Sequence, residues 1–332
     1  MTDNSAPDEA PLVSVVSVFF DRAALVAESI RSLLAQTYPN MEIIVIDDGS
    51  RDDTAAELRK FADPRLTVIS RENRGFTASI NEAVRASRGE YIAIHGSGDL
   101  SAPGRIERQA RILRERPEVG VVGCLVENDD SFGPGARVYE PPAGLPFHKT
   151  LLTRNLFTHG EAMFRRRLFD EVGGYREFFR FAQDRDLWLR ISRLTDYAIV
   201  PELLYRRFKP PGGVSADPEK MMLQAYFSNF AVQCARAVDA GRPDPLARHG
   251  PAALFLRPRR ADFARRLAWF GARLMIEGDV ERGWRVVQQA RRERLTRPVA
   301  TVYALAAMHR RPFLWRRVGC PILAWRSQSF RR

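Results

Sequence analysis

The run Ile43-Ile44-Val45-Ile46-Asp47-Asp48-Gly49-Ser50 constrains this chain more than any other segment. Four β-branched apolar residues followed at once by two carboxylates and a glycine describe a buried strand that ends in a polar, tightly turned edge. Open α/β sheets bind their ligands at such an edge. The pattern recurs: residues 12–20 form an apolar run that breaks at Asp21-Arg22, and Tyr91-Ile92-Ala93-Ile94 leads into His95-Gly96-Ser97-Gly98-Asp99. Between these strands, residues 23–35, 53–61 and 78–86 carry helical spacing where right-handed crossovers belong. Three strands thus deliver Asp21, Asp47/Asp48 and Asp99 to one crevice. Helix capping accounts for Asp52 or Asp53, which open the second helix, but not for the convergence of the others.

At 332 residues the chain can bury one large domain and an appendage. Its charge divides in the same way. Residues 250–332 hold 19 Arg and no Lys against five acids, a net +14 in a chain whose total is +12, so the first 249 residues are near −2. The basic character belongs to the tail, which suits nucleic acid, an anionic membrane or a solvated surface. Cys124, Cys234 and Cys320 are too widely spaced for a metal site or a disulfide framework, which points to a reducing compartment. The first ten residues are polar, without the apolar stretch of a secretory signal, and no segment has about 18 uninterrupted apolar residues. The expectation is a cytoplasmic protein, soluble or peripheral at the inner face of the membrane.

Further along, residues 118–126 and 161–164 read as strands, 128–146 as a Gly/Pro-rich loop, and 184–194 as an amphipathic helix. Residues 197–200 and 203–208 read as two closing strands, ended by Pro210-Pro211-Gly212-Gly213. Helical patterns follow at 219–240, 261–276, 280–294 and 298–308, with Gly278-Asp279 turning a tight hairpin. The expected organisation is a disordered N-terminus (1–10), an α/β domain (11–212) and a basic helical extension (213–332).

Five segments in order give the chain a family likeness. They are Val13-Ser14-Val15-Val16-Ser17; Ser32-Leu33-Leu34-Ala35-Gln36-Thr37-Tyr38-Pro39-Asn40 leading into Glu42 to Ser50; Asn73-Arg74-Gly75 followed by Asn81; Gly89-Glu90-Tyr91-Ile92; and Gly173-Gly174-Tyr175 preceding Gln183-Asp184-Arg185-Asp186-Leu187-Trp188-Leu189-Arg190. Over about residues 13–208 the sequence resembles the inverting family-2 glycosyltransferases of the GT-A fold. The likeness implies a mixed, mostly parallel sheet flanked by helices that binds a nucleotide-diphosphate sugar, followed here by the helical extension.

By that resemblance Asp48 contacts the nucleotide base, with Asp21 where the family usually has asparagine. Arg74 lies near the donor phosphates, unless it is simply a solvated loop arginine. Ser97 and Asp99 belong to the segment in which the family places Asp-x-Asp-Asp around a divalent cation. Here the matching residues are Gly96-Ser97-Gly98-Asp99, so two of three carboxylates are missing. Asp99 with the diphosphate would hold Mg²⁺ or Mn²⁺ only weakly. Alternatively, backbone N–H groups at Gly96 and Gly98 approach the phosphates and arginine supplies the charge. His95 is read as structural rather than as a ligand. Asp184 takes the family position of the general base, a helix-capping role being compatible with it. His159, Asp186 and Trp188 fall on the acceptor side. The acceptor is a glycan or lipid-linked glycan. Phe313-Leu314-Trp315-Arg316-Arg317 and Pro321 to Arg326 interleave aromatics with arginine, as segments do at an anionic membrane surface, while nucleic acid lacks a recognisable module. The rival to an enzyme of envelope polysaccharide synthesis is a non-catalytic nucleotide-sugar-binding relative with a degenerate metal site.

Overall fold

A computed structural model describes residues 10–129, 137–208 and 217–329. The expectations for residues 1–9, for residues 130–136 and for the Pro210 to Gly213 breaker fall outside them.

A nine-stranded sheet organises the first unit. Its strands are β1 (Val13–Phe19), β2 (Met41–Asp48), β3 (Leu66–Arg71), β4 (Tyr91–Gly96), β5 (Leu100–Ser101), β6 (Val119–Asp129), β7 (Arg137–Tyr139), β8 (Met163–Arg165) and β9 (Asp196–Phe208). They lie in the order β3-β2-β1-β4-β8-β6-β9-β5, with β7 paired to β6. The helices are α1 (Ala23–Leu34), α2 (Thr54–Arg59), α3 (Phe76–Ala86), α4 (Arg105–Glu115), α5 (Phe147–Leu151), α6 (Arg166–Glu171) and α7 (Gln183–Ile191). The first four strands in this order are parallel, as the βα alternation of the sequence requires, while β8 runs antiparallel to both β4 and β6. All seven residues of β1 are buried, because a central parallel strand is covered on both faces.

Register places the polar strand ends side by side. Phe19 pairs with Asp47, Val18 with Gly96 and Asp48 with Arg71, so Asp21, Asp48 and the Gly96 to Asp99 turn emerge at one sheet edge. That edge is the crevice expected at the carboxyl ends of such strands.

Two local readings change, and one helix had no reading. Residues 197–208 form one strand: Cys124 pairs with Val200 and Leu125 with Leu203, so Pro201 and Glu202 are an irregularity within β9 rather than its end. Proline lacks the N–H that a ladder needs and is accommodated at such a bulge. Within the supposed 128–146 loop, β7 pairs antiparallel with β6. Helix α4 escaped the pattern because its buried face includes Arg105 and Gln109 beside Ile106, Ala110 and Leu113, which hides the apolar period.

The chain divides into two units, the second comprising residues 212–233 and 243–332, with Cys234–Arg242 belonging to the first. Helix α8 (Pro218–Asp239) contributes to both. In the second unit, helices Ala261–Ile276, Val280–Glu293, Arg297–Ala307 and Cys320–Ser329 bury a cluster that includes Phe263, Leu267, Met275, Trp284, Val287, Val302 and Leu323. Asp279 caps the second of these helices by accepting from the Arg282 N–H, as expected of the Gly278-Asp279 turn. Among the described residues no helix is long and apolar enough to cross a membrane.

Helices Ala261–Ile276 and Val280–Glu293 touch backbone to backbone through two glycines. A Cβ on Gly271 would lie 2.6 Å from the Gly283 carbonyl oxygen, and one on Gly283 would lie 2.5 Å from that of Gly271. Gly271→Val should therefore destabilise this unit by ~1–3 kcal/mol through overpacking, read as a lowered thermal midpoint. An unchanged midpoint would contradict the close approach.

Candidate active site

Asp48 ends β2 as an almost fully buried carboxylate, 1% exposed. Its Oδ1 accepts from the Arg74 N–H and its Oδ2 from the Gly75 N–H, each at 2.9 Å, and Arg71 Nη1 lies 3.3 Å from Oδ1. The side chain thus pins residues 73–75, which Asn73 Nδ2 reinforces by donating to the Asp48 carbonyl oxygen at 2.7 Å. The Arg74 side chain is exposed and, among the described residues, makes no hydrogen bond or ion pair. Asp21 adopts the left-handed region, φ 49°, which aspartate tolerates. It accepts from the Arg51 N–H at 2.8 Å and from Arg51 Nη2 at 2.7 Å, bonds that hold its carboxyl below the usual range.

The β4 end is built around Asp99, which is 7% exposed. The Tyr205 hydroxyl donates to Oδ2 at 2.7 Å, and the Phe208 N–H donates to Oδ1 at 2.9 Å. The same hydroxyl accepts from the Gly96 N–H at 2.8 Å. Below it lies Arg105, fully buried, its guanidinium 5.1 Å from the Tyr205 ring centre and donating to the carbonyl oxygens of Ile94 and Gly160. Burial raises the Asp99 pKa despite the two donors and the neighbouring Arg207 and Arg105 charges. His95 is structural, its Nε2 3.0 Å from Ser29 Oγ and its Nδ1 3.2 Å from Ser101 Oγ. Ser97 is half-buried on the turn.

The third wall runs from Asn155 to Glu161. Asn155 Nδ2 donates to Asp184 Oδ2 at 2.6 Å, holding that carboxylate in the first turn of α7. His159 Nε2 lies 2.7 Å from the Tyr175 hydroxyl, and the Asp184 charge acts on both groups. Two non-glycine residues here hold positive φ: His159 at 86° and Ala182, immediately before α7, at 54°. Such conformations tend to cluster where a fold positions functional groups. The Phe76 ring meets His159 edge-on at 5.8 Å, joining this wall to the loop pinned by Asp48. Gly160 joins it to Asp99, since a Cβ there would overlap the Tyr205 hydroxyl and lie 3.1 Å from Asp99 Oδ2.

Asp186 and Trp188 take interior places, the Trp188 ring lying 6.5 Å from that of His159 behind the wall. The Asp186 carboxylate, 1% exposed, receives Arg176 Nε at 3.0 Å and Arg190 Nη2 at 2.8 Å. Trp188 is fully buried against Phe157 and Phe164. On a helix, positions 184 and 188 share a face, but the sequence does not reveal that this face turns inward by position 188. Tyr205, Arg105, Asn155 and Arg207 were missed because nothing in their local pattern marks them. Tyr205 and Arg207 reach the site through the β9 register, Arg105 through α4 packing and Asn155 through its bond to Asp184.

The donor set does not fit the divalent cation that the resemblance implies. A hard dication at a phosphate site is held by one or two carboxylates together with the phosphates and water, so at least one protein carboxylate has to be open to it. Both Asp99 oxygens already accept hydrogen bonds, its neighbours at 96 and 98 are glycines, and a Cβ on Gly96 would overlap Asp99 Oδ2. Among the described residues no three His, Cys, Asp or Glu side chains gather in a way that could hold a metal. The backbone alternative is also occupied: the Gly96 N–H serves Tyr205, and the Gly98 N–H reaches Ser29 Oγ at 3.3 Å.

Residues 14–173 match the model of glycosyl transferase family 2. A putative glycosyltransferase of Bacillus subtilis (strain 168), EpsE, is 34% identical over 190 residues, covering 55% of this chain and 67% of that protein. The chain belongs to glycosyltransferase family 2. It spans 67% of the length of this relative and 32% and 64% of two other curated relatives. Its fold is GT-A. Mannosyltransferase PcManGT from Pyrobaculum calidifontis, solved in complex with GDP-Man and Mn²⁺, superposes with a TM-score of 0.55 at 21% identity, covering 97% of this chain and 87% of its own. S. aureus TarS in complex with UDP-GlcNAc gives 0.55 at 16% identity, covering 90% and 92%.

The buried imidazoles set a pH dependence of stability. Burial lowers the His95 pKa well below its ordinary 6.5, assisted by the Arg105 charge, and burial lowers that of His159 as well. Below about pH 6.5 these imidazoles therefore bind more protons in the unfolded chain than in the folded one, and their contribution to stability falls as pH falls. His95→Gln should flatten, without abolishing, the decline in thermal midpoint between about pH 7 and pH 5. An equally steep decline in the variant would remove His95 from this account.

Proposed function

We propose that this family-2 enzyme transfers a sugar, with inversion, from a nucleotide-diphosphate donor to a glycan or lipid-linked glycan during envelope polysaccharide synthesis. The observation that carries the reading is the placement of Asp184. It is a half-buried carboxylate at the start of α7, held on one oxygen by Asn155 and joined through His159 and Gly160 to the Asp99 end of the strand edge. In the proposed step the acceptor hydroxyl oxygen bonds to the anomeric carbon as the bond from that carbon to the phosphate oxygen breaks. The leaving nucleoside diphosphate takes the electron pair, and Asp184 takes the hydroxyl proton. Asp48 and Asp21 shape the nucleotide end, while Arg74 and Ser97 line the phosphate approach. His159 borders the acceptor end. Asp186 and Trp188 act behind it by supporting α7.

The donor types seen with the solved neighbours, GDP-Man with PcManGT and UDP-GlcNAc with TarS, support a nucleotide sugar as substrate class. A non-catalytic binding relative is the second reading, favoured by the glycines at 96 and 98. Asp184→Asn should lower kcat by roughly 10²–10⁴-fold while leaving donor affinity near wild type. If wild type binds donor and never turns it over with polyprenyl-linked or oligosaccharide acceptors, the second reading stands.

The second unit supports a peripheral place at the inner face of the membrane. It exposes Phe255 (92%), Phe313 (70%) and Trp325 (68%) on a segment rich in arginine. Aromatics of this kind enter headgroups while cations meet anionic lipid. The double variant Phe313→Ser/Trp325→Ser should bind vesicles containing anionic phosphatidylglycerol at least several-fold more weakly. Equal sedimentation with vesicles would dismiss this surface.

A further inference from the structure

We infer that the Arg207 guanidinium, in place of a divalent cation, neutralises the donor diphosphate in this chain; this rests on the nucleotide-sugar reading above.

Strand geometry aims Arg207 at the site. Successive side chains of β9 alternate between faces, so residue 207 shares the face of Tyr205, whose hydroxyl reaches Asp99 and Gly96. Arg206, between them, points the other way and pairs with Glu127 at 3.1 Å. Arg207 is half-buried, and its own peptide leads directly into the Phe208 N–H that binds Asp99 Oδ1. Its charge is felt at Asp99 and at His159 and Glu161, groups that come from two separate segments. Among the described residues, however, no carboxylate forms an ion pair with it. Glu161, the other buried acid nearby, is committed to the Thr158 N–H at 2.7 Å and the Thr158 hydroxyl at 2.6 Å.

A half-buried arginine without a carboxylate partner, beside a ligand site, is suited to an incoming anion. Its planar fork matches phosphate oxygens and keeps its charge at any working pH. The same end of the sheet has lost the acids that a dication would otherwise bridge. With glycine at 96 and 98 there is less negative charge to screen from the phosphates, and a side-chain cation suffices. The backbone donors of the two glycines are already taken, so the compensating charge has to come from side chains.

The test is titration calorimetry of the full chain with UDP, GDP, CDP, ADP and dTDP and the corresponding nucleosides, in EDTA and in Mn²⁺. Arg207→Gln and Arg207→Lys are compared with wild type, and circular dichroism verifies that both variants are folded. The expected result is a diphosphate affinity unchanged between EDTA and Mn²⁺, at least tenfold weaker in Arg207→Gln and partly restored in Arg207→Lys. Nucleoside affinity should be the same in all three proteins, a selectivity that a purely structural role would not produce. Diphosphate binding that requires Mn²⁺, or that survives Arg207→Gln, overturns the inference while leaving the donor reading intact. Failure of wild type to bind any of the nucleoside diphosphates overturns both.

Discussion

The hydrogen bond from the Tyr205 hydroxyl to Asp99 ties the end of the parallel half-sheet to the end of β9, and the candidate site is arranged around it. Tyr205 arrives from the far side of the sheet, three strands away from β4 in the order β4-β8-β6-β9. Its hydroxyl serves two partners, donating to the carboxylate and accepting from the Gly96 N–H, so one side chain sets both the strand end and the turn that follows. Arg105 lies beneath the ring with carbonyl oxygens for company, which keeps a fully buried cation hydrogen-bonded as low polarity demands. Gly96 and Gly160 are small because the carboxylate and the hydroxyl fill the space that a Cβ would take at each.

Acids at this edge divide by what holds them. Asp48 is saturated by two backbone N–H groups and Arg71, and so acts as a fastener for the 73–75 loop. Asp186 is saturated by two arginines and fastens α7 to the preceding segment. Asp184, two residues earlier in the same helix, has Asn155 on one oxygen and lies within electrostatic reach of His159 and Tyr175. Buried, fully satisfied charges give a site rigidity, whereas a partly exposed carboxylate with a spare oxygen can exchange a proton. The difference between neighbouring aspartates therefore comes from packing, since their side chains are chemically identical.

Much of the fold could be read directly. Strands β1, β2 and β4 announce themselves because a strand covered on both faces must be a continuous apolar run, and each stops at a polar cluster. The helices of the second unit were readable for the complementary reason, their apolar residues recurring at helical spacing. Strand β3 and helix α4 were silent. An edge strand carrying Thr67, Ser70 and Arg71 has no apolar run, and a helix that buries Arg105 and Gln109 breaks its own stripe. At the candidate site, Asp21, Asp48 and Asp99 were legible as candidates because they close strands, and Asp184 because of the residues around it. Tyr205 and Arg207 were not, because their importance arises from pairing with segments about a hundred residues earlier.

Sequence by itself determined which strands are central, where their polar ends fall, and that the positive charge is gathered in the last quarter of the chain. These are local properties, set by side-chain hydrophobicity and by the period at which it repeats. Tertiary structure alone decided what each polar end does: that both Asp99 oxygens are occupied, that Asp186 and Trp188 face the interior, and that the β9 face carrying Tyr205 and Arg207 meets Asp99. A carboxylate's chemistry depends on how many donors and how much water reach it, and in this chain those donors come from parts of the sequence that only folding brings within hydrogen-bonding distance.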